Sequence, residues 1–230
     1  MKKLIIILST LILLVLSIVL GNYFDARLQA ESLQSARLEI LPVEKNFVEE
    51  DDLQKDFAVK DSLLAHIDVA QMEKSLKQNA YLDKAEVYKD LNGHLVAIVE
   101  QYHPIARVLG ATSYYIDKNG EKKPLSNHYT ENVVLVFGSI NKENKKATID
   151  LIQAVHKDEV LHNIVSEIHI KSNGYKLRVK NLSSGIVMSD EDMTGQLLKL
   201  KEIYAYITAH KMQHKYQKID LRYKNQVVCK

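Results

Sequence analysis

The stretch "KAEVYKDLNGHLVAIVEQ", residues 84–101, contains two runs in which apolar and polar residues alternate around a tight turn. The apolar residues at every second position of the two runs are Ala85, Val87, Leu95, Ala97 and Val99. A period of two is typical of a strand with one buried face. Asn92-Gly93 between the runs is a strong signal for a short hairpin turn. The stretch therefore predicts an antiparallel β-hairpin.

A helical pattern precedes this hairpin directly. Asp68 can accept a hydrogen bond from the first turn of a helix, and Gln71 follows three residues later, close to a capping box. Val69, Met72 and Leu76 then recur at helical spacing. The change of period from 3.6 to 2 within this region predicts that a helix packs beside the hairpin.

Further towards the N-terminus, residues 48–57 carry acidic side chains in the first turn of a predicted short helix. Residues 37–43 alternate up to Pro42 and predict a short strand at a sheet edge. The order strand, helix, helix, strand, strand predicts a small α+β domain over residues 37–105, with its helices on one face of a three-stranded sheet.

Residues 106–230 predict a second domain, a mostly antiparallel β-domain with packed helices. Residues 133–140, "VVLVFGSI", predict a buried strand, and residues 166–190 alternate with the period of strands. Residues 145–165 predict one helix and residues 190–212 another. The helix predicted over residues 190–212 has an apolar stripe at helical spacing, formed by Met193, Leu197, Leu200, Tyr204 and Ile207. Either Asp190 or Asp192 can cap it.

The N-terminal stretch, "MKKLIIILSTLILLVLSIVLGNYF", contains two lysines followed by an apolar run. Through Phe24 the run has about the 20 residues needed to cross a bilayer. It predicts one transmembrane helix in residues 1–24 with the N-terminus in the cytoplasm, followed by a linker over 25–36. A cleaved signal peptide is the alternative, since "VLG" at 19–21 resembles a small-residue cleavage site.

Composition excludes several classes of function. Lys+Arg 31 against Asp+Glu 29 gives no electrostatic reason to expect a nucleic-acid partner. Cys229 is the one cysteine, so an intrachain disulfide is impossible.

No nucleophile, phosphate or dinucleotide motif occurs, and no cofactor is expected. His210 and His214 have the spacing of zinc ligands on a helix but lack the glutamate of H-E-x-x-H. The sequence thus predicts a binding protein rather than an enzyme, and an anchored zinc enzyme is a weaker alternative.

The chain resembles the FtsQ/DivIB cell-division proteins. In the first domain the matching positions, which resemble the end of a POTRA domain, are Ala85, Val87, Leu95, Ala97, Val99, Glu100, Pro104 and Ala106. In the second domain they are Tyr115, Ile116, Asp117, Gly120, Pro124, Leu125 and Ser126. Near the C-terminus, "DLRY" at 220–223 matches the family without a gap. The ordered set spans nearly the whole chain.

The resemblance implies a single-pass inner-membrane protein of the bacterial divisome, with its globular part in the periplasm at the division site. It implies an FtsB/DivIC- and FtsL-type coiled-coil partner on the C-terminal β-edge, bound by strand addition. The implied partner-binding residues are Arg222, Tyr223, Lys224, Asn225, Gln226, Val227 and Val228. Another POTRA-bearing envelope transport or assembly factor is the alternative within this architecture.

Overall fold

The computed structural model describes residues 10–23, 35–41, 47–57 and 67–230. Residues 10–23 form helix α1, whose side chains are exposed. The predicted anchor, residues 1–24, continues beyond this helix into residues outside the described ranges, and so does most of the predicted linker. Within the described ranges, no helix has both the length and the apolar character required to cross a bilayer.

The chain divides into two compact units, Met1–Gln101 and Tyr102–Lys230. The other described elements of the first unit are strand β1 (Ser35–Leu41), helices α2 (Glu50–Phe57) and α3 (Val69–Leu76), and strands β2 (Leu82–Lys89) and β3 (His94–Gln101). Strand β3 lies in the middle of the sheet, parallel to β1 and antiparallel to β2. The predicted order of strands and helices in this region is therefore confirmed.

The predicted hairpin is formed by β2 and β3. Its turn is held by Asp90, whose Oδ1 accepts hydrogen bonds from the backbone N–H groups of Asn92 and His94, both at 2.8 Å. Gly93 has a φ of 82°, a conformation that glycine adopts without strain. The predicted apolar face is buried in one cluster with Leu53 and Leu76 of the two helices. The alternation of the sequence thus sets the register that buries this face.

The start of α3 is capped as predicted, since Asp68 Oδ1 accepts from the backbone N–H of Gln71 at 3.0 Å. A second polar contact in this unit was not predicted. Gln101 is fully buried at the end of β3, and its Oε1 accepts from the backbone N–H groups of Phe47 (2.6 Å) and Val48 (3.1 Å). These bonds satisfy an amide that would otherwise be costly to bury.

The second unit contains one nine-stranded sheet. Its strands are β4 (Pro104–Leu109), β5 (Tyr114–Asp117), β6 (Lys122–Lys123), β7 (Val134–Phe137), β8 (Val165–Lys171), β9 (Gly174–Val179), β10 (Gly185–Met188), β11 (Lys218–Asp220) and β12 (Val228–Cys229). The strand order is β12-β11-β10-β9-β8-β7-β4-β5-β6, so β12 and β6 are the two edges.

Three helices pack into the core of this sheet: α4 (Lys145–Lys157), α5 (Glu159–Ile164) and α6 (Met193–Ala209). The predicted stripe of α6 faces the core, with Leu197, Leu200 and Ile207 buried. Polar contacts add to the packing. Thr148 Oγ1 lies 3.1 Å from the hydroxyl of Tyr175, which joins α4 to β9.

The sheet is mixed, with antiparallel pairs in the majority, as predicted, and three parallel pairs that were not predicted. The pairs β4–β7, β7–β8 and β10–β11 are parallel, and the remaining pairs are antiparallel. Two of the parallel pairs have helices in the connection between their strands, α4 and α5 in one and α6 in the other. A crossover of this kind returns the chain in its original direction and so produces parallel neighbours.

The single helix expected over residues 145–165 is two helices. Asp158 interrupts it with an extended backbone, φ −91° and ψ 116°, and caps α5 by accepting from the backbone N–H of Leu161 at 3.0 Å. An ion pair of 2.6 Å from Lys201 of α6 to the same carboxylate adds a tertiary contact. Asp residues favour such caps over helix interiors, which is the physical reason for the break.

Candidate partner-binding edge

The predicted partner-binding residues lie at one edge of the nine-stranded sheet. The resemblance implied that these residues belong to a β-edge, but β11 ends at Asp220 and β12 begins at Val228. Arg222 to Val227 therefore lie in the loop between the two last strands, which begins at Leu221, and Val228 belongs to the edge strand itself. We call residues 221–227 the edge loop.

The edge loop is held at its base and exposed beyond it. Leu221 is fully buried, and its backbone N–H donates to the carbonyl of Val187 at 2.9 Å. Asn225 has a φ of 59°, a left-handed conformation that asparagine tolerates better than most residues. Residues 222–226 are all exposed. The loop is thus a surface feature that is fixed at its base.

Backbone pairing defines which groups of β12 point outward. The N–H and C=O of Lys230 bond to Lys218 at 2.9 and 3.1 Å, so these two residues form a hydrogen-bonded pair. Ile219 and Cys229 are the next pair along the ladder. Because bonded and non-bonded pairs alternate in antiparallel strands, the N–H and C=O of Cys229 point away from β11. These groups can receive an added strand.

Asp220 organises the charged part of the edge. Its side chain is 5% exposed and accepts from Nε of Arg222 at 2.9 Å and from Nη2 at 2.7 Å. Lys218 Nζ lies 3.1 Å from the same carboxylate. The bidentate bond from Arg222, with help from Lys218, holds the pKa of the Asp220 carboxyl well below its ordinary value, despite partial burial.

A lysine of helix α6 donates hydrogen bonds to the backbone of the edge loop. Lys199 of α6 donates from Nζ to the carbonyl oxygens of Leu221 (2.5 Å) and Tyr223 (2.9 Å). These bonds fix the backbone on both sides of Arg222. The side chain of Tyr223 itself remains 47% exposed. A large, exposed and rigidly held aromatic residue is typical of interface anchors.

Sequence reasoning missed Lys199, Asp220 and Cys229 as parts of this site. Asp220 precedes Arg222 by only two residues, and two opposite charges this close in the sequence could have suggested the pair. Lys199 is far away in the sequence, and only the packing of α6 reveals it.

Burial raises the pKa of the Cys229 thiol, which lowers its thiolate fraction and hence its reactivity.

The two histidines considered as zinc ligands do not lie together on a helix. His210 follows the end of α6, and His214 lies in the next turn, where its Nδ1 is 2.6 Å from Ser183 Oγ. Across the part of the chain that the structure describes, no group of three or more His, Cys, Asp or Glu side chains is arranged to hold a metal ion.

An α+β domain whose mixed sheet ends in an exposed edge strand suits binding of another polypeptide. A family model described as "FtsQ/DivIB, C-terminal related" matches residues 103–230, more than half of the chain. The chain therefore belongs to this family. The family indicates a role in cell division, within protein–protein complexes and in association with the membrane at the division site. No curated protein matches the chain.

Proposed function

We propose that this protein is a non-enzymatic scaffold of the divisome that binds a partner segment on its C-terminal β-edge. The observation that carries the proposal is the position of β12. It is the outermost strand of its sheet, and Cys229 directs backbone groups away from the fold. A partner strand could extend the sheet there, with main-chain hydrogen bonds supplying affinity.

The edge loop would supply specificity beside that strand. Tyr223 offers an exposed aromatic surface. The Arg222 side chain is 38% exposed, so its fork with Asp220 leaves part of the guanidinium accessible for a partner carboxylate. Lys224, Asn225 and Gln226 are exposed next to it and would make polar contacts at the rim.

The partner would be an FtsB/DivIC-type single-pass coiled-coil protein together with an FtsL-type protein. The family's role in division complexes supports this assignment. Residues 1–24 would anchor the protein in the inner membrane, and residues 25–36 would lead to a POTRA-like domain over 37–105. The β-domain, 106–230, would lie in the periplasm, and the POTRA-like domain would recruit the protein to the division site.

Site-specific photo-crosslinking in living cells tests the proposal. A photoreactive residue at position 223 is compared with one at Tyr206, an exposed tyrosine of α6 with 52% exposure against 47%. We expect position 223 to capture a small single-pass coiled-coil protein and position 206 not to capture it. Capture of the same proteins from both positions, or of none from position 223, would contradict a docking edge.

A further inference from the structure

A groove lies at the opposite end of the nine-stranded sheet, beside β6. It has a volume of about 980 Å³ and lies between the β5–β6 hairpin and the first half of α4. Its floor is apolar and is formed by Tyr114, Ile116, Ile140 and Ile149. Ile116 is buried, whereas the other three are only partly covered by the fold. The groove thus exposes an apolar surface that is recessed rather than protruding.

The rim of the groove is basic. Its lysines are Lys122, Lys142, Lys145 and Lys146, and its carboxylates are Glu121 and Asp150. The first turn of α4 contains no acidic residue, so the partial positive charge of the helix N-terminus adds to these lysines. The chain as a whole has a net charge of only +2. Positive charge is therefore concentrated around this apolar floor.

The hairpin wall of the groove is preformed. Asp117 Oδ1 accepts from the backbone N–H groups of Asn119 and Glu121, both at 2.9 Å. Gln153 of α4 donates to the carbonyl of Lys118 at 2.9 Å, which ties the hairpin to the helix. A Cβ added at Gly120 would lie 3.0 Å from Ile149, so the turn packs closely on the floor. These contacts set the width of the groove.

The helix wall is held in a similar way. Asn141 and Asn144 exchange hydrogen bonds, with each side-chain oxygen accepting from the other's backbone N–H at 2.9 and 3.1 Å. Asn144 also donates to the carbonyl of Ser139 at 3.0 Å. A groove with two fixed walls loses little conformational entropy on binding, which favours affinity.

We propose that this groove is a docking site for an acidic amphipathic helix of a second partner protein. The apolar stripe of such a helix would cover the floor, and its carboxylates would meet the lysine rim. A recessed floor fits an inserted helix better than a flat bilayer, which binds protruding apolar side chains. The site is separate from β12 and does not rest on the function proposed above.

The test uses the full chain in detergent micelles and two synthetic helical peptides with the same leucine stripe. One peptide carries glutamates on its polar face and the other carries lysines. Binding is measured by fluorescence anisotropy. The groove variant combines Lys122→Glu, Lys145→Glu and Lys146→Glu, all at exposed positions. The control combines Lys157→Glu, Lys180→Glu and Lys211→Glu, which are also exposed and give the same net charge.

We expect the acidic peptide to bind the wild type and to lose at least about tenfold in affinity for the groove variant, with a change below about twofold for the control. The lysine peptide should gain affinity for the groove variant. Equal losses in both variants would reduce the effect to overall charge and overturn the proposal. If phosphatidylglycerol vesicles bind through the lysines and the peptide does not bind, the groove is a lipid site. If the groove variant has a different oligomeric state from the wild type, the occupant is a second copy of the chain. Either result overturns it.

Discussion

The two edges of the nine-stranded sheet are both two residues long, but they differ in chemistry. Strand β6 consists of Lys122 and Lys123 and is followed by Pro124. Strand β12 consists of Val228 and Cys229, which have no charge. Lysine on an edge strand and proline beside it are devices that prevent unwanted pairing. Edge β6 is therefore protected against strand addition, whereas edge β12 is not.

The comparison teaches that the two edges of one sheet can present different groups to the solvent. At β12 the N–H and C=O of Cys229 point outward, and nearby side chains hold the edge loop in place. At β6 lysines and Pro124 disfavour strand addition, and side chains line a groove instead. The same core supports both ends, because residues from β4 to β11 pack in one hydrophobic cluster. Four predictions test this contrast, from the largest effect to the smallest.

The largest effect should come from prolines placed on the two edges. Cys229→Pro removes an N–H that points away from β11 and leaves the pairing of Lys230 intact. Partner capture at position 223 should fall at least about tenfold, because an added strand loses a hydrogen bond and meets the proline ring.

Lys122→Pro is the matched control. The backbone of Asp117 bonds to Glu121, so by alternation the N–H of Lys122 also points outward, at the other edge. Capture at position 223 should stay unchanged. Equal losses with both prolines would mean that the edges do not differ in function.

The second prediction concerns Asp220. Asp220→Asn should lower the free energy of unfolding by about 1–3 kcal/mol at neutral pH, since the variant loses the charged pairing with Arg222 and Lys218. Denaturant unfolding measures this value. An unchanged denaturant midpoint would contradict a stabilising role for the charged cluster of Asp220, Arg222 and Lys218.

The same substitution has a pH signature. The folded-state pKa of Asp220 lies below its ordinary value of 3.8, so the stabilisation is fully present above that value and decreases as the pH falls below it. Wild type should therefore lose more stability than Asp220→Asn between pH values of about 4 and 2. Parallel pH profiles for the two proteins would exclude this origin.

A smaller effect is expected from Lys199→Met. It removes two bonds to the carbonyl oxygens of Leu221 and Tyr223 while keeping most of the side-chain volume. We expect a loss of about 1 kcal/mol in stability. Hydrogen exchange of the amides in residues 221–225 should accelerate, whereas Lys224→Met, an exposed change in the same loop, should leave exchange at its wild-type rate.

The smallest effect should follow Lys122→Val, which removes one protective charge from β6. Stability should change by less than about 0.5 kcal/mol, because Lys122 is exposed. A photoreactive residue introduced at Lys118 in this variant should not capture the partner of the β12 edge, since Pro124 and the short strand still protect β6. Capture from position 118 would show that the lysine alone distinguishes the edges.

Local patterns predicted much of the fold. The hairpin over 84–101, the Asp68 cap and the buried stripe of α6 each depend on residues within a few positions of one another. The break at Asp158 and the end of β11 at Asp220 were missed. At Asp158 a side-chain cap competes with the helical pattern, and near Asp220 the contacts from α6 and β10 end the strand.

The predicted docking residues were placed by motif position, and their local geometry could not be derived from the motif. An edge strand and an inner strand can have the same pattern of apolar and polar residues. Whether a strand lies at the edge depends on which other strands of the fold pair with it. The groove beside β6 is a similar case. Its floor and rim come from β5, β6 and α4, which are separated along the chain.

The sequence by itself determined the α+β class, the hairpin and its buried face, and a C-terminal segment resembling the FtsQ/DivIB family. These follow from residue periodicity, turn chemistry and an ordered set of motifs. Only the tertiary structure decided the mixed sheet, the outward backbone of Cys229 and the contacts of Lys199 with the edge loop. These depend on strand order and helix packing, which arise from contacts between residues far apart in the chain and leave no periodic signal in the sequence.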